Sequence, residues 1–550
     1  DGVRALISAI LPHLGEAMAS VGIQGDFWQK MLGRSKEASQ GDLALPCFPF
    51  AKQLGCAPDE AAQRIAAAIT IPFAAVNAVG PYVNFTAGPD WLLTQVEAET
   101  ASQGAVLIEH TSANPNGPFH VGRARNAVLG DTFVRMHRAA GYDVTAEYYV
   151  DDMGKQVGIL CWALENLDQA RVDALLAEGG IEIQQSQHSA KPDHARVLWY
   201  QAANILKSQS TEVDAGVTSL VQLSEDADED VLNRFEAAYQ PVLDGMLETL
   251  GRMGIAFDSF TKESRFIVDG SVEVLMDRLQ TSELHGVADN GAHFLELESR
   301  GVKGKTTQFY YRRGDGSSLY ATRDLAYHAH KWSRSDRLIN ILGEDHKLQS
   351  KQVGIALDEL EIKNPEVVFY AFTKLADGKM STRRGNVVFM DDLLDEAQAR
   401  ALAVVSSIRA DLSETESNEI AEAVGVSATR FNIARISPEK GITFRWEEAL
   451  SLEADSAPFI MYSHARACSI ARRAGDVELP TAVETKGLDP TAIGLIRRMA
   501  KMADELQNAI DLARPNLFCA WLSGLAADYN RFYRENHVLT DDGGHLQNLK

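Results

Sequence analysis

Residues 109–126 read Glu-His-Thr-Ser-Ala-Asn-Pro-Asn-Gly-Pro-Phe-His-Val-Gly-Arg-Ala-Arg-Asn and crowd imidazoles, amides and guanidinium groups around a Pro/Gly loop. The apolar run Val106, Leu107, Ile108 leads into the loop. Ala124, Val128, Leu129, Phe133, Met136 and Ala140 follow it at helical spacing, up to Gly141. Residues 142–150 then read as a second strand. A strand, loop, helix and strand in this order put backbone N–H groups and the positive end of a helix at the carboxyl edge of a parallel sheet, where a phosphate is favoured. His120 and Gly122 fall at that edge. Neither Gly-x-Gly-x-x-Gly nor Gly-x-x-x-x-Gly-Lys-Ser/Thr occurs, so the two commonest phosphate cradles are absent.

A second constellation is acidic. Glu109 ends the first strand, Asp324 follows Tyr320 into a helix that carries Tyr327 and His328, and Asp345 follows the buried strand 337–343. Carboxylates at equivalent element ends converge on one crevice, where they repel one another and hold protons unless a cation lies between them. A planar guanidinium with five donors matches such forks better than an ammonium does. A third feature follows the strand 367–372: the Gly-flanked basic loop Lys379-Met380-Ser381-Thr382-Arg383-Arg384-Gly385. Transfer of a nucleotidyl group to a carboxylate needs no protein nucleophile, only positioning and charge stabilisation. His120, Lys379 and Arg383 or Arg384 are the natural donors for that task. No Cys/His/Asp spacing suggests a resident metal, so Mg2+ is expected to arrive with the nucleotide.

The 550 residues are too many for one core and divide into several domains. Five scattered cysteines, none in a Cys-x-x-Cys pair, suit a reducing cytoplasm and offer neither a disulfide framework nor a zinc site. The most apolar window, 65–79, is broken by Thr70, Pro72 and Asn77 and cannot span a bilayer, and no signal peptide precedes it. The sequence opens on Asp1 rather than methionine. The net charge of -23 favours solubility and leaves room for local basic patches. Residues 59–69 read as a helix, 184–194 as a polar surface loop and 226–230 as a solvated charge run. From about 420 the pattern is helical, over 421–433, 456–473 and 491–529.

Phe119-His120-Val121-Gly122 resembles the His-x-Gly-His signature of class I aminoacyl-tRNA synthetases, and residues 112–131 as a whole resemble the arginyl-tRNA synthetases. The basic loop is similar to the second class I signature, Lys-Met-Ser-Lys. Residues 41–48 and 80–85 resemble that family's N-terminal domain, and 436–440 with 456–466 its helical anticodon-binding domain. The resemblance implies an α/β fold: a Rossmann-type parallel-sheet catalytic domain split by an insertion, an N-terminal α+β domain and a C-terminal all-α bundle. The expected boundaries are 1–100 for a tRNA D-loop-recognition domain, 101–155 and 304–373 for the two catalytic halves, and 156–303 for the connective insertion. Residues 374–420 hold the signature loop and stem-contact region, and 421–550 the anticodon-binding domain. The family's closing helical segment, after 532–539, is expected beyond Lys550.

By the same resemblance the activity is ATP-dependent activation of L-arginine and its transfer to tRNA(Arg), by a cytoplasmic monomer without membrane attachment. The resemblance assigns ATP to Asn114, Pro118, His120, Gly122, Arg123, Asn126 and His346, with Lys379, Met380 and Ser381 on the loop. It assigns arginine to Glu109, Asn114, Tyr320, Asp324 and Asp345. It assigns tRNA bases to Tyr82 and Asn84, an aromatic and an amide two residues apart on one strand face, and to Phe459, Tyr462, His464 and Arg466. Two positions depart from the broader class: Arg123 stands for the second His of the first signature and Thr382 for the second Lys of the other. Asn116 and Gly117 stand where some arginyl enzymes carry a compensating upstream lysine. Another class I synthetase for a basic or small amino acid, a non-catalytic tRNA-binding paralogue and a small-molecule nucleotidyl transferase are the competing readings. The transferase needs neither terminal domain, and a paralogue is expected to lose His120, Lys379 or the acids.

Overall fold

The computed structural model describes residues 3–375, 388–453 and 455–539. It divides into two compact units, Ser102–Ala449 and a second formed by Asp1–Ala101 with Leu450–Lys550.

The first unit is built on five parallel strands: β1 (Gly104–Glu109), β2 (Tyr142–Val150), β3 (Ser259–Lys262), β4 (Leu338–Gly343) and β5 (Glu366–Tyr370). They lie in the order β5-β4-β1-β2-β3, and every neighbouring pair is parallel. The chain builds from β1 in one direction through β2 and β3, then returns to the other side of β1 with β4. The reversal between β1 and β4 opens a crevice at the carboxyl ends of the strands, where ligands bind in sheets of this kind. Val106, Leu107 and Ile108 of β1 are all buried, as expected of a central parallel strand covered on both faces. β3 lies within the stretch expected to be insertion; with four residues it is too short for its alternation to stand out.

The helix Val121–Ala139 follows β1 and packs closely on the loop beside it. A Cβ at Gly130 would lie 2.2 Å from the His110 ring, so only glycine permits this approach. The five helices between Lys155 and Arg252 form most of the insertion, and a three-stranded antiparallel sheet (His285–Val287, His293–Glu296, Gln308–Arg312) precedes the return to β4. Residues 184–194 are not simply a surface loop. Residues 184–187 are exposed, but Asp193 is buried and His188, Lys191 and His194 are partly so.

The helix Glu414–Ala434, which begins before the expected boundary at 421, packs against Met390–Ile408 and lies in the Ser102–Ala449 unit. Residues 436–440, which resemblance groups with the helical domain, also lie there. The buried Arg125 guanidinium donates to the carbonyls of Ala371 (2.6 Å), Ser437 (2.8 Å) and Lys440.

The second unit joins a four-stranded antiparallel sheet (Gly33–Arg34, Leu43–Pro46, Tyr82–Ala87, Ala74–Val79, in that order) to helices from both ends of the chain. The region 491–529, read as one helical stretch, is three helices: Pro490–Ala500, Met502–Asp511 and Pro515–Glu535. Ile496 enters the same apolar cluster as Leu43, Phe85 and Trp28. Among the described residues, no helix is long and apolar enough to cross a membrane.

Candidate active site

His120 is the N-cap residue of Val121–Ala139, in extended backbone conformation. Its Nδ1 is buried without a hydrogen-bond partner among the described residues. The ring lies over Gly122, where a Cβ would stand 3.1 Å from Nδ1. Burial first, and the Arg123 guanidinium second, hold the His120 pKa below its ordinary value, so the imidazole is neutral at pH 7. A neutral imidazole with an unspent nitrogen at a helix N-terminus is suited to meet a phosphate. Its backbone is held from the other side of the chain: His120 forms an antiparallel bridge with Phe389, Val121 N donates to Val388 O at 2.9 Å, and Met390 N donates to Phe119 O at 2.8 Å.

The loop before His120 carries two left-handed residues that are not glycine, Thr111 (φ 66°) and Ser112 (φ 43°). Such conformations cost about 1–3 kcal/mol each and persist where neighbours fix them. Here Thr111 N donates to Asn126 Oδ1 at 2.7 Å, Tyr149 N donates to Ser112 Oγ at 3.0 Å, and Ser112 Oγ donates to Glu109 Oε2 at 2.9 Å. Asn126 Nδ2 donates to Ile341 O at 3.1 Å, so this amide ties the end of β1 to β4 across the switch point.

One cavity of about 710 Å³ is lined by Glu109, Asn114, His120, Gly122, Arg123, Asn126, Tyr320, Asp324, Asp345 and His346. These are ten of the residues that sequence reasoning selected. Pro118 is buried in the loop but does not line the cavity. Lys379, Met380, Ser381, Thr382, Arg383 and Arg384 lie outside the described residues.

The acids are not equivalent. Glu109 has its own cation: Lys331 Nζ donates to Glu109 Oε1 at 3.0 Å and to Asn340 Oδ1 at 2.8 Å, and sits 4.4 Å from the Tyr327 ring centroid. His328 Nε2 lies 2.9 Å from Asn340 Nδ2, and burial drives the His328 pKa down to about 3, so this ring is neutral. Among the described residues Asp324 has only the neutral His328 ring nearby, 3.6 Å from its carboxylate; burial raises its pKa to about 6, opposed by the more distant Lys331. Asp345 stands exposed at the mouth beside His346. Asn114 Nδ2 donates to Gln156 Oε1 at 3.0 Å.

Sequence reasoning missed Lys331, Asp151 and Glu263. Asp151 follows β2 and lines the cavity, and Glu263 follows β3. Burial raises the pKa of both; the neighbouring Asp151 raises that of Glu263 further, whereas the contact with Glu263 works to lower that of Asp151. Glu263 stands well above the ordinary carboxylate range even though Arg323 Nε donates to it. Of the two, Glu263 is the acid more reluctant to give up its proton. The signal was available: acids at or just beyond the ends of β1, β2, β3 and β4 occupy equivalent places, and only those of β1 and β4 were recognised.

Two further groups, His188 with Asp392 and Asp395, and Asp193 with His194 and Asp391, bring ligand-type atoms within 4.8 Å of one another. In the second, the Lys191 ammonium already lies 2.8 Å from Asp391 Oδ2.

In the other unit, Tyr82 packs edge-on to Phe48 at 5.9 Å, and Asn84 is buried with neither amide atom hydrogen-bonded among the described residues. On the helix Ala457–Ala474, Phe459 is half-buried while Tyr462 and His464 are exposed. The Arg466 guanidinium lies 4.5 Å from the Tyr462 ring and 4.8 Å from that of Tyr533.

Residues 5–87 match the family described as arginyl tRNA synthetase N terminal domain, 90–440 the tRNA synthetases class I (R), catalytic domain, and 460–549 the DALR anticodon binding domain. The arginine–tRNA ligase of Methanococcoides burtonii is 38% identical over 99% of this chain and 94% of its own length. That of Halorubrum lacusprofundi is 36% identical over 99% and 95%. The solved Thermus thermophilus arginyl-tRNA synthetase is similar at a TM-score of 0.74 and 25% identity, covering 99% of this chain and 95% of that one. The crevice with its signature histidine and ring of acids, the family matches along the chain and relatives of this closeness agree: the chain belongs to the arginyl-tRNA synthetases, the class I arginine–tRNA ligases.

Proposed function

We propose that the protein activates L-arginine with ATP and transfers the arginyl group to the 3′ end of tRNA(Arg). One oxygen of the arginine carboxylate attacks the α-phosphorus, the bond to the bridging oxygen breaks, and pyrophosphate leaves. A ribose hydroxyl of the tRNA end then attacks the carbonyl of the adenylate, and AMP departs. The observation that carries this reading is the convergence of Glu109, Asp324 and Asp345 with His120 on one cavity. It supports a guanidinium at the acidic end and phosphates at the helix N-terminus.

In this reading Asp324 and Tyr320 face the guanidinium, and Glu109 with Asn114 meets the α-amino end. His120, Gly122, Arg123 and His346 face the nucleotide. Lys379, Arg383 and Arg384 contribute charge to the departing pyrophosphate, and Mg2+ accompanies ATP. Tyr82 and Asn84 read the D-loop, and Tyr462, His464 and Arg466 the anticodon end. Five free thiols fit a cytoplasmic protein, and a monomer is the simplest working form. The test is aminoacylation of bulk tRNA with each of the twenty amino acids separately. Arginine alone should charge; charging by another amino acid, or none, overturns the proposal.

A further inference from the structure

The stretch 184–194 runs into the first turn of the insertion helix Pro192–Gln209 and reaches the start of Met390–Ile408. Lys191 Nζ donates to Asp391 Oδ2 at 2.8 Å, and His194 Nε2 lies 2.8 Å from the same oxygen. Thr249 Oγ1, from the helix Glu229–Arg252, donates to Asp391 Oδ1 at 3.0 Å. One turn later Asp395 is held in the same way, with His188 Nε2 and Arg252 Nη1 each 2.7 Å from its carboxylate. Asp193 is buried with neither oxygen hydrogen-bonded among the described residues, and Lys191 Nζ lies 3.6 Å from it. The lysine is thus the cation shared by two buried carboxylates. Burial works to raise the Asp391 pKa, yet the donors from His194 and Lys191 outweigh it and leave the group strongly ionised.

Asp391 directly follows the short ladder on which His120 rests, the one formed by Val388, Phe389 and Met390 against Phe119, His120 and Val121. The His194 ring meets the Phe389 ring edge-on at 5.2 Å. The same insertion helix presses Val197 against Gly117, where a Cβ would come 2.7 Å from Val197 Cγ2. One helical segment therefore touches both sides of the ladder. We propose that Lys191 and His194, acting through Asp391 and Phe389, are positioning residues for His120, so that the seating of the insertion sets the place of the signature imidazole. The proposal deepens the function argued above, resting on it only for the role of His120 at the nucleotide. Small displacements of a positioned group are expensive in rate, even when the residue that moved is remote.

The test uses the full chain with His194→Ala, His194→Gln and Asp391→Asn. Glutamine keeps a nitrogen donor at similar reach. Peptide-resolved hydrogen exchange should show faster exchange at the Val121 and Met390 amides in His194→Ala and Asp391→Asn, with wild-type protection regained in His194→Gln. In ATP–pyrophosphate exchange run with tRNA present, kcat should fall about tenfold or more in the first two variants, with KM for ATP, arginine and tRNA unmoved and His194→Gln close to wild type. Unchanged exchange at the two amides overturns the anchor. Faster exchange with unchanged kcat overturns its link to His120. A loss of activity that merely follows the folded fraction, unrelieved by glutamine, also overturns it. The amide measurement is independent of the reaction, so a wild-type chain that fails to charge arginine counts against the proposed function and not against the anchor.

Discussion

At Asp324 burial and charge pull in opposite directions, and burial leaves the carboxyl with a pKa of about 6. The group is ionised only above that pH, so arginine meets a carboxylate there and a neutral acid below it. Because kcat/KM reports groups on the free enzyme, its value for arginine should fall as pH drops through about 6, while that for ATP changes little. Asp324→Asn should abolish this step and weaken arginine use at neutral pH by roughly 1.5–3 kcal/mol, the worth of a hydrogen bond to a charged group. A pH series of aminoacylation rates checks both. Equal losses for ATP and arginine would make Asp324 a structural residue. His120 makes a different demand, since its neutral ring gains most when charge builds on the phosphates. His120→Ala should lower kcat for pyrophosphate exchange on the order of a hundredfold and leave tRNA binding, measured by filter retention, unchanged; near-normal turnover removes the residue from the mechanism.

The helix Val121–Ala139 delivers His120 because it can lie almost on the end of β1, and Gly130 is what permits it. Gly130→Ala puts a methyl group against the buried His110 ring and should cost about 1–3 kcal/mol, as overpacked cores do, read as a lowered urea midpoint. An unchanged midpoint would mean that the helix can step back without cost. The course of this helix was legible because its apolar residues repeat at helical spacing and Gly141 stops them. The acids Glu109, Asp324 and Asp345 were legible because they sit at element ends. Lys331 was not: a lysine in the last turn of Tyr320–Trp332 reads as an exposed cation completing the helix dipole, and only the packing of that helix over β1 and β4 turns it inward to Glu109. Residues 184–194 misled for a related reason. Polarity signals solvent only when no opposite charge waits across the gap, and Asp391 and Asp395, some two hundred positions on, cannot be paired with His188 and His194 by local pattern.

Across the whole molecule the net charge is -23, so a polyanionic partner depends on local cations and on stacking rather than on the average field. Arg466, held between Tyr462 and Tyr533, with Nη1 donating to Asn530 Oδ1 at 2.9 Å, is one such place. Tyr462→Ala should weaken charging of full-length tRNA by about 1–3 kcal/mol, the worth of a base stacked on an aromatic ring, and leave the thermal midpoint nearly unchanged. A lower midpoint, with charging reduced only in proportion to folded protein, would return Tyr462 to the core. The unit that holds this helix is also assembled from both ends of the chain. Asp42, buried under the N-terminal sheet, accepts a hydrogen bond from Ala87 N at 2.9 Å and is paired with Arg497 and Lys501. Arg497 lies 455 positions later. At ordinary rates of synthesis the ribosome needs roughly twenty to ninety seconds to cover that distance. For that interval the two cations that pair with Asp42 in the finished unit have not been made, so the nascent amino-terminal sheet must leave this carboxylate in water. Its final closure waits until Arg497 and Lys501 have been translated.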